Sequence, residues 1–330
     1  MQRRWVLQAA TSAAAVALMA VQAAARAAQG QITRAFDVLD LDWQDAARQR
    51  LVPVRLYLPL AVPYGALEPS ATVPLVVFSH GIGGSRRGYR YLGQHFARNG
   101  VASLHLQHVG SDRNLWMGNI FGLVGRLQDA AQSSEAIDRA LDLSFALDSL
   151  LAGPFSPRID ASRIVAAGHS YGANTTLLAA GANVVRNGRV AYLRDDRVRA
   201  AIVISAPPFY GEREPNRVLS GVTVPSLHIT ATEDVIRIPG YFSGADDRVA
   251  VFEATGSQRK WLAVFEGGSH SMFTDRAGTG GVALNAQVKA ATQALTLAFV
   301  RKVMGGDAAS LAAWPQQHEA ILARFSAPAG

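Results

Sequence analysis

Residues 163–182 read RIVAAGHSYGANTTLLAAGA. Within them Gly168-His169-Ser170-Tyr171-Gly172 fits G-x-S-x-G, the pattern of a sharp turn between a strand and a helix with a serine at its tip. The context agrees. Residues 163–168 form a short apolar run after the turn-like segment 157–162, as a buried strand would, and residues 173–182 hold the small and straight-chain residues of a helix start. Such a turn strains the backbone of Ser170, and glycines on either side let strand and helix approach closely. The helix N-terminus sets partial positive charge beneath the hydroxyl. A pentapeptide of this kind also recurs by chance, so its weight depends on the rest of the chain.

The alternation of apolar runs and helical patterns continues outward. Residues 53–59, 74–79, 101–106, 200–205, 224–230 and 260–265 read as further strands, and 91–99, 133–151 and 283–303 as helices. In 133–151 the apolar positions Ile137, Leu141, Phe145 and 147–151 mark the expected buried face. Strands alternating with helices predict an α/β fold with a mostly parallel sheet covered on both faces. Chemistry is then expected in the loops that follow the strands. No linker, composition break or internal repeat divides residues 28–330, so one domain is expected.

Three loops meet that expectation. After 74–79 comes His80-Gly81-Ile82-Gly83-Gly84, where glycines allow backbone amides to turn inward. Acyl transfer needs two donors for a developing oxyanion, expected here as the amides of Ile82 and Tyr171. A turn without a role is the alternative; a phosphate loop is disfavoured because neither G-x-G-x-x-G nor G-x-x-x-x-G-K-[ST] is present. After 224–230 comes Ala231-Thr232-Glu233-Asp234, which offers Asp234, or its neighbour Glu233, as the carboxylate behind a histidine base. Asp246 and Asp247 read as solvated turn residues. After 260–265 comes Glu266-Gly267-Gly268-Ser269-His270, and His270 is the expected base. His80 and His169 flank the two turns and are expected to support them. His105 and His108 imitate a metal pair, but no H-E-x-x-H and no acidic third ligand accompanies them, so neither metal nor cofactor is expected.

The order Ser170, Asp234, His270, each at a strand end, resembles the α/β-hydrolase superfamily, and the resemblance covers nearly all of residues 35–305. Residues 78–112, FSHGIGGSRRGYRYLGQHFARNGVASLHLQHVGSD, are similar to the dienelactone-hydrolase-like branch, akin to platelet-activating-factor acetylhydrolases and bacterial polyester hydrolases. The resemblance implies the α/β-hydrolase fold with an eight-stranded sheet, a serine esterase mechanism and no cofactor. It departs from true dienelactone hydrolases, whose nucleophile is cysteine, at Ser170. The expected activity is hydrolysis of small-molecule or polymeric carboxylic esters through an acyl-enzyme. A lipase, polyester hydrolase or peptidase would use the same triad, and a non-catalytic binding module would keep the fold without turnover.

Pocket walls are expected from three places. Segment 110–132, with Trp116, Met117, Ile120, Phe121 and Leu123 among glycines, reads as a cap or as a buried helix. Phe209 and Tyr210 follow a strand and would form the opposite wall, and Met272 follows His270. The pair Arg86-Arg87 reads as a solvated face, with recognition of an acidic substrate as the alternative.

The remaining composition bounds the class. The 330 residues are 49% apolar and contain no cysteine, which excludes disulfides, thiolate metal sites and a cysteine nucleophile. Arg3-Arg4, an alanine-rich run and Ala25-Arg26-Ala27 read as a twin-arginine export signal over residues 1–27, giving a periplasmic or secreted protein. A membrane anchor is the alternative, but Gln8, Thr11, Ser12 and Gln22 leave the run marginal for a stable span. Removing this leader takes away three arginines and brings the net charge from +7 to +4. No clustered Lys/Arg stripe remains to support nucleic-acid binding.

Overall fold

Residues 75–78, Leu-Val-Val-Phe, show why the central strands read as unbroken apolar runs. Leu75 and Val77 pack into one hydrophobic core and Val76 and Phe78 into another, so successive side chains are buried on opposite faces of one sheet. Ile164 and Ala166 against Val165 and Ala167 repeat the pattern on the strand before the serine turn. The computed structural model describes residues 35–60, 72–186, 189–212, 214–238, 241–275 and 282–328; the expected export signal, residues 1–27, lies outside them.

The strands of the main sheet are β1 (Phe36–Asp45), β2 (Arg50–Pro59), β3 (Val73–Ser79), β4 (Ala102–Leu106), β5 (Ile159–His169), β6 (Val198–Ile204), β7 (Ser226–Glu233), β8 (Lys260–Ser269) and β9 (Leu322–Ser326). Their spatial order is β1-β2-β4-β3-β5-β6-β7-β8-β9. The six strands from β4 to β8 in this order run parallel, and β1, β2 and β9 are antiparallel to their neighbours. The fold is therefore α/β and mostly parallel, as expected, but with nine strands in place of eight. Two lie outside the segments read as strands above. In β1 acids are interspersed among the apolar residues, and Leu39, Leu41 and Trp43 reach the core. β9 is a five-residue edge strand that pairs with β8 across a bulge.

Among the described residues the α-helices are α1 (Arg90–Arg98), α2 (Leu123–Ala130), α3 (Ser133–Ala152), α4 (Tyr171–Ala179), α5 (Pro215–Leu219), α6 (Ala245–Ala254), α7 (Val282–Val303) and α8 (Ala309–Gln317). α3, α4 and α6 close one face of the sheet; α1, α7 and α8 close the other. In α3 the buried face differs from the expected one. Leu141 is exposed, while Glu135, Arg139, Asp142, Leu143, Ala146, Leu147 and Leu150 point inward. Three charged side chains on the inward face form part of a polar network beneath the site.

Candidate active site

The serine turn is built by close backbone approach. A Cβ on Gly172 would stand 1.9 Å from the Ser79 carbonyl oxygen, and one on Gly168 would stand 2.1 Å from the Gly172 carbonyl oxygen. Only glycine fits either place. Between them Ser170 takes φ 56° and ψ −125°, a strained conformation for a residue with a side chain. Its amide donates to the Ile204 carbonyl at 2.8 Å, which ties the turn to β6. Tyr171 opens α4 directly behind it.

β7 and β8 bring the other two residues to the same place. Asp234 follows β7 and is fully buried; Glu233 beside it is exposed. His270 follows β8, whose Gly267 takes φ 67° to turn the chain. The His270 Nδ1–H donates to Asp234 Oδ1 at 2.6 Å, and His270 Nε2 accepts from the Ser170 hydroxyl at 2.8 Å. Because a carboxylate only accepts, this pairing selects the Nδ1–H tautomer and leaves Nε2 free to take a proton. Burial alone would raise the Asp234 carboxyl. The hydrogen bond and charge of His270, with the Arg248 guanidinium 3.5 Å away, hold it well below the usual carboxylate range. The Thr230 hydroxyl donates to its second oxygen at 2.8 Å.

The loop after β3 passes against the serine: a Cβ on Gly81 would lie 3.2 Å from Ser170 Cβ. Its amides are largely engaged. Gly81 N–H donates to Tyr89 Oη at 3.4 Å, Gly83 N–H to the Ser111 carbonyl at 2.8 Å and Gly84 N–H to the Gly81 carbonyl at 3.0 Å. Among the described residues the Ile82 amide is the one in this stretch with no acceptor in the protein.

Two networks hold these loops together. His169 Nε2–H donates to the His270 carbonyl at 3.0 Å, so its Nδ1 accepts from the Tyr89 hydroxyl at 2.8 Å. Serine turn, glycine loop and histidine loop are thereby joined through one imidazole. Burial, with the neighbouring His270, brings His169 down to about 3, so it is neutral. On the other side, fully buried Arg139 donates to Thr175 Oγ1 on α4 at 2.9 Å, to Ser111 Oγ at 2.7 Å and to the His80 carbonyl. Its guanidinium carbon lies 4.5 Å from the Tyr171 ring centre. Burial brings it down to about 10, and it stays charged at neutral pH. Ser79, His108 and Asp142 repeat the serine–histidine–aspartate contacts at 3.0 and 3.1 Å, but all three are fully buried, out of reach of any substrate. His108 Nδ1–H donates to Asp142 there, and its backbone amide donates to His80 Nε2 at 3.2 Å.

Two clefts meet at Ser170. The narrower, open to solvent, spans about 730 Å³ between Ile82, Tyr171, Phe209, Tyr210, Ile236 and Tyr241. The wider, also open to solvent, spans about 1500 Å³ and is lined by His270, Arg113, Trp116, Arg237 and Asp275 among others. Of the expected wall residues, Phe209 and Tyr210 line the first cleft. Trp116 lines the second, its Nε1–H donating to the Gly83 carbonyl at 2.9 Å. Two expectations are corrected. Phe121 is 94% exposed on a surface turn and lines neither cleft. Met272 is fully buried in the core with Phe273, because the single 3₁₀ turn after His270 rotates it beneath Gly268.

Segment 110–132 is not one buried helix. It combines two short 3₁₀ turns with α2, and its small core of Leu115, Leu127 and Ala130 packs on Ile82. Arg86 and Arg87 pair with Asp42 and Asp40 of β1, and Asp247 accepts from the Gly244 amide at the start of α6. Sequence reasoning missed Arg139, Arg248 and Tyr89. The visible signal for Arg139 was its spacing from Leu143 on one helix face.

No curated protein matches the sequence. Solved structures share its fold at low identity. A ferulic acid esterase from Streptomyces cinnamoneus is 23% identical, with a TM-score of 0.55 over 82% of this chain and 91% of that one. A cold-adapted esterase from an Arctic intertidal metagenomic library is 16% identical, with a TM-score of 0.51 over 73% and 88%. A puromycin hydrolase is 15% identical, with a TM-score of 0.57 over 82% of this chain and 40% of that one. The family model described as "Alpha/beta hydrolase family" matches residues 76–328. That span runs from β3 through the serine turn, Asp234 and His270 to β9, and the chain belongs to the alpha/beta hydrolase family.

Proposed function

We propose that the protein is a serine esterase that hydrolyses carboxylic esters through an acyl-enzyme on Ser170. The observation that carries this reading is the continuous pair of hydrogen bonds from Asp234 through His270 to the Ser170 hydroxyl. His270 Nε2 takes the hydroxyl proton as Ser170 Oγ bonds to the ester carbonyl carbon, and Asp234 stabilises the imidazolium that results. The carbonyl oxygen becomes an oxyanion facing the amides of Ile82 and Tyr171. When the tetrahedral intermediate collapses, the bond from acyl carbon to alcohol oxygen breaks and His270 returns the proton to that oxygen. A water then gives its proton to His270 as its oxygen attacks the acyl carbon. The bond from the acyl carbon to Ser170 Oγ then breaks, the acid departs, and His270 returns the proton to Ser170.

Ser170→Ala should lower kcat on p-nitrophenyl esters by roughly a millionfold, with folding unchanged by circular dichroism. Substantial residual turnover would move the nucleophile elsewhere. The similarity of residues 78–112 supports placement in the dienelactone-hydrolase-like branch, though serine at the nucleophile position keeps that label from naming a substrate. The leader over residues 1–27 supports export; the mature N-terminus in a periplasmic or culture fraction tests it, with Ala28 expected first.

A further inference from the structure

Ser170 borders both clefts, but His270 borders only the wider one. On the serine-esterase reading, that asymmetry sorts the substrate. The imidazole that takes the serine proton must hand it to the leaving oxygen, so the alcohol lies on the His270 side, in the wider cleft. The oxyanion faces Ile82 and Tyr171. The acyl chain is then left with the narrower cleft, whose lining of Ile82, Phe209, Tyr210, Ile236 and Tyr241 has no charged side chain.

The two clefts differ in charge as well as in size. The wider one is lined by Arg113 and Arg237, both exposed. Neither forms an ion pair with a carboxylate among the described residues, unlike Arg48, Arg50, Arg55, Arg86 and Arg87. The opposing charge in this lining is Asp275, and its Oδ2 already accepts from the Arg90 amide at 3.1 Å. The leaving-group side is therefore net cationic and the acyl side neutral and apolar. We propose that the preferred substrate is an ester of an apolar acid with an alcohol or phenol that bears an anionic group, the anion being met by Arg113 and Arg237.

A matched pair of substrates tests this: the butyrate esters of 4-hydroxybenzoate and of 4-hydroxybenzamide, alike in size but differing by one negative charge. Each kcat/KM is first divided by the ester's rate of alkaline hydrolysis. The wild type should favour the anionic ester by about five- to twentyfold at low salt, as expected for exposed charge pairs offset by one carboxylate. The preference should shrink towards unity in 0.5 M NaCl. Arg113→Gln with Arg237→Gln should bring the ratio close to one, Arg113→Glu with Arg237→Glu should invert it, and Asp275→Asn should increase it. Because the readout is a ratio within one protein, loss of folded enzyme cannot imitate the result. Turnover of both esters with no preference, or a preference unchanged in the double variants, overturns the inference and leaves the esterase reading standing. Failure to hydrolyse either ester, together with no labelling of Ser170 by a fluorophosphonate, overturns both.

Discussion

Arg139 offers a prediction that reaches from a buried charge to turnover. Its three hydrogen bonds connect the carbonyl of His80, two residues before Ile82, with Thr175 on the helix that begins at Tyr171. The two amides expected to face an oxyanion thus stand on segments braced by one side chain. Arg139→Met keeps the length and removes every donor. It leaves the buried His80 carbonyl without its partner and Glu135 with less positive charge nearby. Removing one member of such a buried charged network costs about 3–5 kcal/mol of stability. If the His80–Ile82 backbone also relaxes, the oxyanion loses part of one donor. Complete loss of a donor costs about 10²–10³ in kcat, so a partial loss should cost about 10–10². The loss should appear in kcat with KM little changed, because the oxyanion exists only beyond the ground state. Leu147→Ala, a fully buried residue of the same helix, serves as the comparison. It should lose about 2–5 kcal/mol of stability and keep its kcat. If Arg139→Met melts as early as Leu147→Ala but keeps kcat within about twofold of the wild type, the bracing argument is wrong.

Two further predictions concern the carboxylate and the buried imidazoles. Asp234→Asn should lower kcat by about 10⁴, because an amide would favour the wrong His270 tautomer, whereas exposed Glu233→Gln should change it little; a larger loss in the second variant would exchange their roles. Stability should fall as pH drops below neutrality. Burial holds His105 near 4, and burial with nearby positive charge holds His108, His169 and His228 near 3, against 6.5 in the unfolded chain. Between about pH 6 and 4 the unfolded chain therefore binds more protons than the folded one, by up to about 1.4 kcal/mol per pH unit for each histidine. Below the ordinary carboxylate range the depressed Asp142 and Asp234 add to the loss, since their stabilisation disappears as they are protonated. Melting temperatures from pH 7.5 to 4.5 should decline progressively more steeply, and a flat profile would contradict the neutral buried imidazoles.

What could be read from the sequence follows from how locally each feature is encoded. Ser170, Asp234 and His270 stand just after apolar runs, within a few residues of turn-forming glycines or a strand end. Strand periodicity alone brings such loops to one edge of the sheet. The brace beneath them was not readable in this way. Arg139, Glu135 and Asp142 break the apolar stripe of α3, so hydropathy assigns that face to solvent. Their burial is made possible by partners distant in sequence: Arg50 reaches Asp142 across 92 positions, and Arg139 reaches the His80 carbonyl across 59. Met272 and Phe209 show the same limit for pocket walls. Both are apolar residues a few positions beyond a strand, yet one is fully buried in the core and the other lines a cleft, a difference that sequence pattern does not carry. β1 escaped detection because its apolar residues are interrupted by four acids, two of which, Asp40 and Asp42, pair with Arg55, Arg86 and Arg87.

If Ser170 is a nucleophile activated by His270, a fluorophosphonate probe with mass-spectrometric mapping will find it. One phosphonyl group per chain should form, located on the peptide containing Ser170 and in step with the loss of esterase activity. His270→Ala should slow labelling by orders of magnitude. Labelling at another residue, or full loss of activity with Ser170 unmodified, would contradict that role for Ser170.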